Sequence, residues 1–428
     1  MQKISGESLQ LVEQKTWLGI GSGFRTVVYS LIFVKFFINL ILIFLHGQDV
    51  GISGTFILDG PSYIRGATSV AATGDFLNLE DIYHSPGFQI LLAVPFILFG
   101  PNLMVVKLLN LFLFALIIRS VSSLGQRVFD QNTGLLAGLL VAYSPSLTIF
   151  TFILQYEIVA AFLLLLVCRL AMAAFGKPIL APSALFAGFF ISLLGLIQER
   201  FLILAPLFFI YFLFRARRGA VRSAGMGAIA FIFGTASIVA PWSIYQSGRK
   251  AKFVIVSEGN DFRFAVGNNP NATGASFPYP TIVEPKGVKF IRDMPGKFLW
   301  LVKERFLYFW GFRENMDGVF FSKGKLRAVT DSWFRMLIPL AEKAVAGAYI
   351  SLFLLGIGMS VRWQSSLGPH AIHAFYLVMA GVMIPPLVSI SSARFSLPMV
   401  PYICLFQAFC IVRIAALIRS RPRLSSAP

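Results

Sequence analysis

Asp59 heads the segment Leu58-Asp59-Gly60-Pro61-Ser62-Tyr63, just past the first long apolar run of the chain. A carboxylate placed there can serve as a general base toward a hydroxyl if it faces a cavity. An acid before Gly-Pro also starts a turn, and residue chemistry alone favours the turn. Further along, charged residues stand in short turns between apolar segments: Gln155-Tyr156-Glu157, Glu199-Arg200 and Ser392-Ala393-Arg394. Charges at such places often anchor a helix at an interface, yet ionisable groups tucked into a membrane chain are candidates for function. Arg200 and Arg394 suit a phosphate, because a guanidinium offers a planar fork to its oxygens.

Other polar features carry less. Asp75, Glu80 and Asp81 share no spacing with a histidine that would mark a metal site and read as a solvated face. Lys35 sits in mid-span without an evident partner, and Arg169 and Arg413 can snorkel to the inner surface. No phosphate-cradling glycine loop, zinc spacing or nucleophile elbow is present. Neither a cofactor nor a metal is therefore expected. The cysteines (Cys168, Cys404, Cys410) all lie in apolar segments and imply no disulfide framework.

The elements that must position these residues follow from composition. Hydrophobic residues make up 57% of the chain and charged ones only 13%, which excludes a disordered protein and an ordinary soluble enzyme and leaves an all-α polytopic membrane protein. The net charge of +18 would suggest nucleic acid in a soluble protein; here it reflects sidedness, and no nucleic-acid partner is expected. Apolar runs predict spans near 27–45, 103–118, 135–150, 158–175, 184–197, 201–214, 226–245, 345–361, 371–390 and 395–418, with 87–99 either a short span or the first half of the next. That makes about 10–11 transmembrane helices, and no cleavable leader is predicted before the first. The stretches 1–26, 119–133, 176–182, 215–223, 362–370 and 419–428 hold 14 Lys/Arg against 3 acids, whereas loop 46–86 holds Arg65 against five acids. Positive residues stay inside, so both termini are expected in the cytoplasm and loop 46–86 outside. The chain divides into an N-terminal membrane module (1–245) carrying this first outer loop, a long outer loop (246–343), and C-terminal spans with a basic tail (344–428). In the long loop, Pro295–Phe312 alternates aromatic and basic residues at helical spacing, the signature of an amphipathic helix at the membrane surface.

Several segments together resemble the bacterial GT-C membrane glycosyltransferases, the group of the protein O-mannosyltransferases and lipid A aminoarabinose transferases. Asp59-Gly-Pro-Ser-Tyr63-Ile-Arg-Gly-Ala67 is similar to the acid-x-x-x-Tyr-x-x-x-Ala pattern of their first outer loop. Tyr83-His84-Ser85-Pro86-Gly87-Phe88 resembles their Pro-Gly-Tyr-like turn, and Leu98-Phe99-Gly100 the Phe-Gly that follows. Leu154-Gln155-Tyr156-Glu157, Gly195-Leu-Ile-Gln198-Glu199-Arg200, Ala240-Pro241-Trp242, Gly267-Asn268-Asn269-Pro270 and Arg394-Phe-Ser-Leu-Pro398 match further pieces in order. Gly60, where many members carry a second acid, and Glu199, where a plain residue is usual, depart from the pattern.

The resemblance implies an inverting transfer of a sugar from a polyprenyl-phosphate donor to a cell-envelope acceptor (glycolipid, glycan or protein) on the outer face of a bacterial cytoplasmic membrane. It implies Asp59 as the catalytic base, Arg200 and Arg394 on the donor phosphate, and Tyr63, His84, Glu157, Asn268 and Asn269 around the substrates. Some relatives of the wider fold use a divalent ion. The alternatives are a polytopic transporter or flippase, which would carry inverted repeats and midplane polar residues; a ligase joining lipid-linked glycans; and an inactive assembly partner.

Overall fold

The computed structural model describes residues 22–46, 59–77, 84–173, 181–216, 221–275, 287–313, 332–361, 363 and 371–420. Glu80, Asp81, Tyr83 and the basic tail 421–428 lie outside them. The described residues form helices joined by short turns, with a single isolated bridge between Ala275 and Ser391. In chain order these are α1 (Ser22–His46), α2 (Gly60–Thr73), α3 (Gly87–Phe99), α4 (Leu103–Val128), α5 (Gln131–Ala142), α6 (Pro145–Phe152), α7 (Glu157–Ala173) and α8 (Ala181–Ile197). After a 3₁₀ turn at Glu199–Ile203 come α9 (Leu204–Ala216), α10 (Val221–Lys250), α11 (Gly259–Gly267), α12 (Gly287–Asp293), α13 (Pro295–Phe309), α14 (Ser332–Ser360) and α15 (Ala371–Val388). A second 3₁₀ turn, Ala393–Met399, leads into α16 (Val400–Ser420).

Among the described residues, α1, α4, α10, α15 and the segment Ala393–Arg419 are long and apolar enough to cross a bilayer, and the α5–α6 pair, bent by 50°, would make a sixth. Of the other predicted spans, α7, α8 and α9 are helical at their expected places but shorter, with 17, 17 and 13 residues, and 345–361 coincides with the later part of α14. Gly87–Ile118 is broken at Gly100, whose φ of 70° only glycine adopts easily, and α4 alone has full span length. The segment 201–214 begins as a 3₁₀ turn before α9 starts. Small residues let the helices approach closely: a side chain at Gly188 or Gly234 would collide with the facing backbone where α8 and α10 pack.

The bundle has two distinct ends. At one, Arg25 donates to Gln131 (2.7 Å), Arg413 stands 3.9 Å from Asp130, and Trp363 donates to the Val128 carbonyl (3.1 Å). The start of α1, the α4–α5 corner and the later part of α16 thus meet there. From Arg413 back to Val400, α16 covers roughly 20 Å at about 1.5 Å per residue. Most of the residues with chemical potential gather at that far end.

Helix α13 is amphipathic as its sequence predicts, with Leu301 and Phe309 buried and Leu299, Trp300 and Phe306 exposed. Its Arg305, fully buried, fastens the segment after α10 to the end of α15. Nη1 donates to the Leu387 and Val388 carbonyls (3.0 and 3.1 Å), and Nη2 to the Gly267 carbonyl and Asn268 Oδ1. Arg305→Met keeps the volume and strips four acceptors of their donor. Thermal unfolding in detergent should show a loss on the order of 3 kcal/mol, only partly restored by Arg305→Lys; an unchanged midpoint would mean the clamp is dispensable.

Candidate functional site

Helix α2 places Asp59. Pro61 suits its first turn, and Gly74, at φ 70°, ends it by donating to the Val70 carbonyl (2.9 Å). Tyr63, Ala67 and Val70 form its buried stripe. The Asp59 carboxylate does not cap the helix it precedes, so the turn reading does not account for it. That work falls to Gln155, whose amide oxygen, turned toward the donors, accepts from Gly60 N (3.1 Å) and Asp59 N (3.2 Å). The carboxylate instead pairs with Arg394, Nη2 to Oδ2 at 3.1 Å.

Arg394 sits at the start of the second 3₁₀ turn. Ser391 N bonds to the Gly274 carbonyl (3.1 Å), which ties this turn to the segment after α11. The next side chain, Phe395, is a shared platform. Arg394 lies 5.2 Å from its ring centre and Arg200 4.2 Å, both within cation–π range. Arg200 also donates to the Tyr156 hydroxyl (3.0 Å), whose own proton is secure because burial pushes that phenol up to about 12. Two guanidiniums around one ring repel each other. Asp59 offsets that repulsion at Arg394, and the fully buried Glu157, within electrostatic reach of both, does so in part, because burial pushes its carboxyl up to about 7 against the pull of the two arginines. Arg394 Nη1, Arg200 Nε and both Glu157 carboxylate oxygens have no hydrogen-bond partner, an uncommon state for buried polar atoms.

The neighbouring Glu199 points the other way. It accepts from Ser257 N (3.2 Å) and Oγ (2.9 Å), and its own N–H donates to Ser85 Oγ (3.2 Å). Burial pushes the Glu199 carboxyl up, against the pull of the Ser257 hydrogen bonds. The residue therefore gathers the Ser85 and Ser257 segments onto the end of α8. Gly87 completes the junction, since a Cβ there would fall 2.6 Å from Ile197 N.

These contacts enclose a cavity of about 670 Å³ lined by Asp59, Tyr63, His84, Glu199, Arg200, Asp261, Arg263, Arg394, Phe395 and the end of α15 from Pro385 to Ile390. Its volume is that of a pocket for a small molecule. Of the residues predicted from sequence, Asp59, Tyr63, His84, Arg200 and Arg394 meet in it. Tyr63 packs edge-on against His84 (5.7 Å between ring centres). Glu157 lies behind the lining. Asn268 and Asn269 do not line it: their amides are spent on the carbonyls of Phe264, Val388, Ala265 and Val266, bracing α11 and α15. Arg263, which contacts His84 Nδ1 at 3.3 Å, and Asp261 enter from α11; nothing in the loop sequence distinguishes them from its other charges. Among the described residues no three His, Cys, Asp or Glu side chains cluster as a metal set.

Burial pushes the Asp59 carboxyl up, but the charges of Arg394, His84 and Arg263 outweigh it and hold it below the usual range. A depressed pKa means the pair stabilises above the ordinary aspartate value and loses that contribution as pH falls through the lowered one. Wild type should exceed Asp59→Asn in stability by about 1 kcal/mol at neutral pH for this half-screened pair. The gap should close below about pH 4. Thermal unfolding of both proteins across pH would show it, and a constant gap would deny the pair.

No protein-family profile matches the sequence, and no curated protein matches it significantly. Solved structures do share its shape. The oligosaccharyltransferase of Archaeoglobus fulgidus superposes with a TM-score of 0.55 at 15% identity, over 94% of this chain and 52% of that one. The same archaeal enzyme, AglB, in complex with an inhibitory peptide and a dolichol-phosphate, gives 0.51 at 14% identity, over 95% and 53%. ArnT from Cupriavidus metallidurans gives 0.43 at 13% identity, over 92% and 78%. The chain thus spans about half the length of the oligosaccharyltransferase. At these identities the likeness establishes the fold alone, the all-helical polytopic architecture expected from the sequence.

Proposed function

We propose that this chain is a membrane glycosyltransferase that moves a sugar from a polyprenyl-phosphate donor to a cell-envelope acceptor, at the outer end of its helical bundle. The observation that carries this reading is the meeting, in a single cavity, of two guanidiniums that share Phe395 and one carboxylate paired with Arg394. The fold is shared with an oligosaccharyltransferase whose complex holds a dolichol-phosphate. The charge bias of the loops supports the outer face for this end, with both chain ends in the cytoplasm.

The chemistry assigned is a displacement with inversion. The acceptor hydroxyl oxygen attacks the anomeric carbon, the bond from that carbon to the phosphate oxygen breaks, and the hydroxyl proton passes to Asp59. The polyprenyl phosphate leaves with one more negative charge. Arg200 and Arg394 are suited to stabilise that charge as it develops, Arg200 because the Tyr156 hydroxyl and Phe395 hold it in place before the reaction begins. The apolar helices beside the cavity suit the prenyl chain, whose hydrocarbon needs a membrane-embedded path. Tyr63 and His84 lie where they would border the sugar.

The test uses purified full-length protein with polyprenyl-phosphate sugars extracted from the native membrane, following release of free polyprenyl phosphate in the presence of envelope acceptors. Wild type should consume one donor. Asp59→Asn should slow it about a hundredfold or more, and Arg200→Gln by about 10²–10³. Full turnover by Asp59→Asn, or a failure of wild type to consume any donor, would overturn the assignment.

A further inference from the structure

Arg394 faces two demands on the reading above: it is a proposed anchor for the donor phosphate, yet one of its nitrogens is committed to the proposed base. The geometry separates the two roles in time. Resting on that reading, we propose that Arg394 exchanges partners: it pairs with Asp59 until the donor arrives, then turns to the lipid phosphate. Asp59 is thereby released to the acceptor hydroxyl only in the donor complex.

Four features support an exchange rather than a fixed pair. First, Arg394 holds Asp59 through Nη2 alone, and its Nη1 has no partner. Second, the main chain of Asp59 is held without Arg394. Gln155 accepts from the Asp59 N–H, and the Asp59 carbonyl accepts from Ser62 N and Tyr63 N, each at 3.1 Å. Losing the guanidinium would therefore free the carboxylate without moving it. Third, neither ion would be abandoned. Asp59 keeps the favourable charges of His84 and Arg263, and Arg394 keeps Glu157 behind it and gains a phosphate. Fourth, the two arginines are not equivalent. Arg200 is bonded to the buried Tyr156 hydroxyl and seated 4.2 Å over Phe395, whereas Arg394 rests on the same ring at 5.2 Å. Arg200 is the fixed arm and Arg394 the one free to swing.

The exchange is favourable on general grounds. A partly exposed ion pair is worth little, whereas a forked contact from guanidinium to phosphate is among the stronger charge-assisted interactions. The exchange frees Oδ2, the oxygen that Arg394 holds, so that the whole carboxylate becomes available to the acceptor hydroxyl once the donor is bound.

The test is a binding cycle with undecaprenyl phosphate as the probe. Full-length wild type, Asp59→Asn, Arg394→Gln and the double variant are placed in nanodiscs of neutral phosphatidylcholine, each first checked for a single folded species. Asp59→Asn removes the competitor for Arg394 and should bind the lipid phosphate about tenfold tighter than wild type, whereas Arg394→Gln should bind about tenfold weaker. In the Arg394→Gln background, Asp59→Asn should bring no gain. Asp59→Ser provides a second reading of the same sign should Asn disturb the fold. An equal gain with and without Arg394 would reduce the effect to a generic loss of negative charge and overturn the exchange, as would weaker binding by Asp59→Asn. Failure of wild type to bind the probe at all would instead remove the donor reading on which the exchange rests.

Discussion

The ion pair between Asp59 and Arg394 joins positions 335 residues apart in the chain, and much of the architecture at that end of the bundle makes sense as the means of holding it. A charge taken out of water is costly unless paired and hydrogen-bonded. A cavity lined by Asp59, Glu199, Arg200, Asp261, Arg263 and Arg394, with Glu157 behind it, must therefore be assembled with its charges interleaved. Arg200 and Arg394 share Phe395, acids flank both, and the Tyr156 hydroxyl takes a further guanidinium donor. Around Phe395, polar atoms of Arg200, Arg394 and Glu157 are left without partners. They mark the place where the protein's own groups do not satisfy one another.

The helices act as struts whose ends meet at this cavity, and the loops are fastened to them by a few buried polar residues. Gln155 holds the start of α2. Glu199 gathers Ser257 and, through its own N–H, Ser85 onto the end of α8. Arg305 locks α13 and the Asn268 turn to the end of α15. Each connection spans segments distant in sequence, and each places a wall of the cavity. On the proposed function, preorganisation of this kind is what electrostatic stabilisation of a leaving phosphate requires, which would account for so much buried polarity in a chain otherwise so apolar.

Much of this was legible in the sequence, because membrane physics leaves strong marks. Apolar runs, loop charge bias and arginines in short turns point to which residues share an end of the bundle, and Arg200, Arg394, His84 and Asp59 do meet there. The role of Asp59 was not decidable, since an acid before Gly-Pro has the same appearance whether it caps a helix or not. Only the observed pairing separates the two. Asn268 and Asn269 were misplaced because an asparagine amide braces backbone carbonyls as readily as it meets a substrate. Arg263 and Asp261 were lost among the 16 bases and 9 acids of the long loop, which has no periodicity to single them out. The shortness of several spans was hidden too: apolarity reports where the chain avoids water but not where Gly100 or a 3₁₀ turn interrupts a helix.

The central claim is that this cavity transfers a sugar from a lipid carrier, and it is tested most directly in the native cell. Surface glycans and prenyl-linked sugars would be profiled by mass spectrometry in wild type and in Asp59→Asn expressed at the same membrane level. The account predicts that one envelope glycan loses a sugar while the matching prenyl-linked sugar accumulates, which names donor and acceptor together. An unchanged profile from a well-expressed variant would contradict it and leave Asp59 as a structural partner of Arg394.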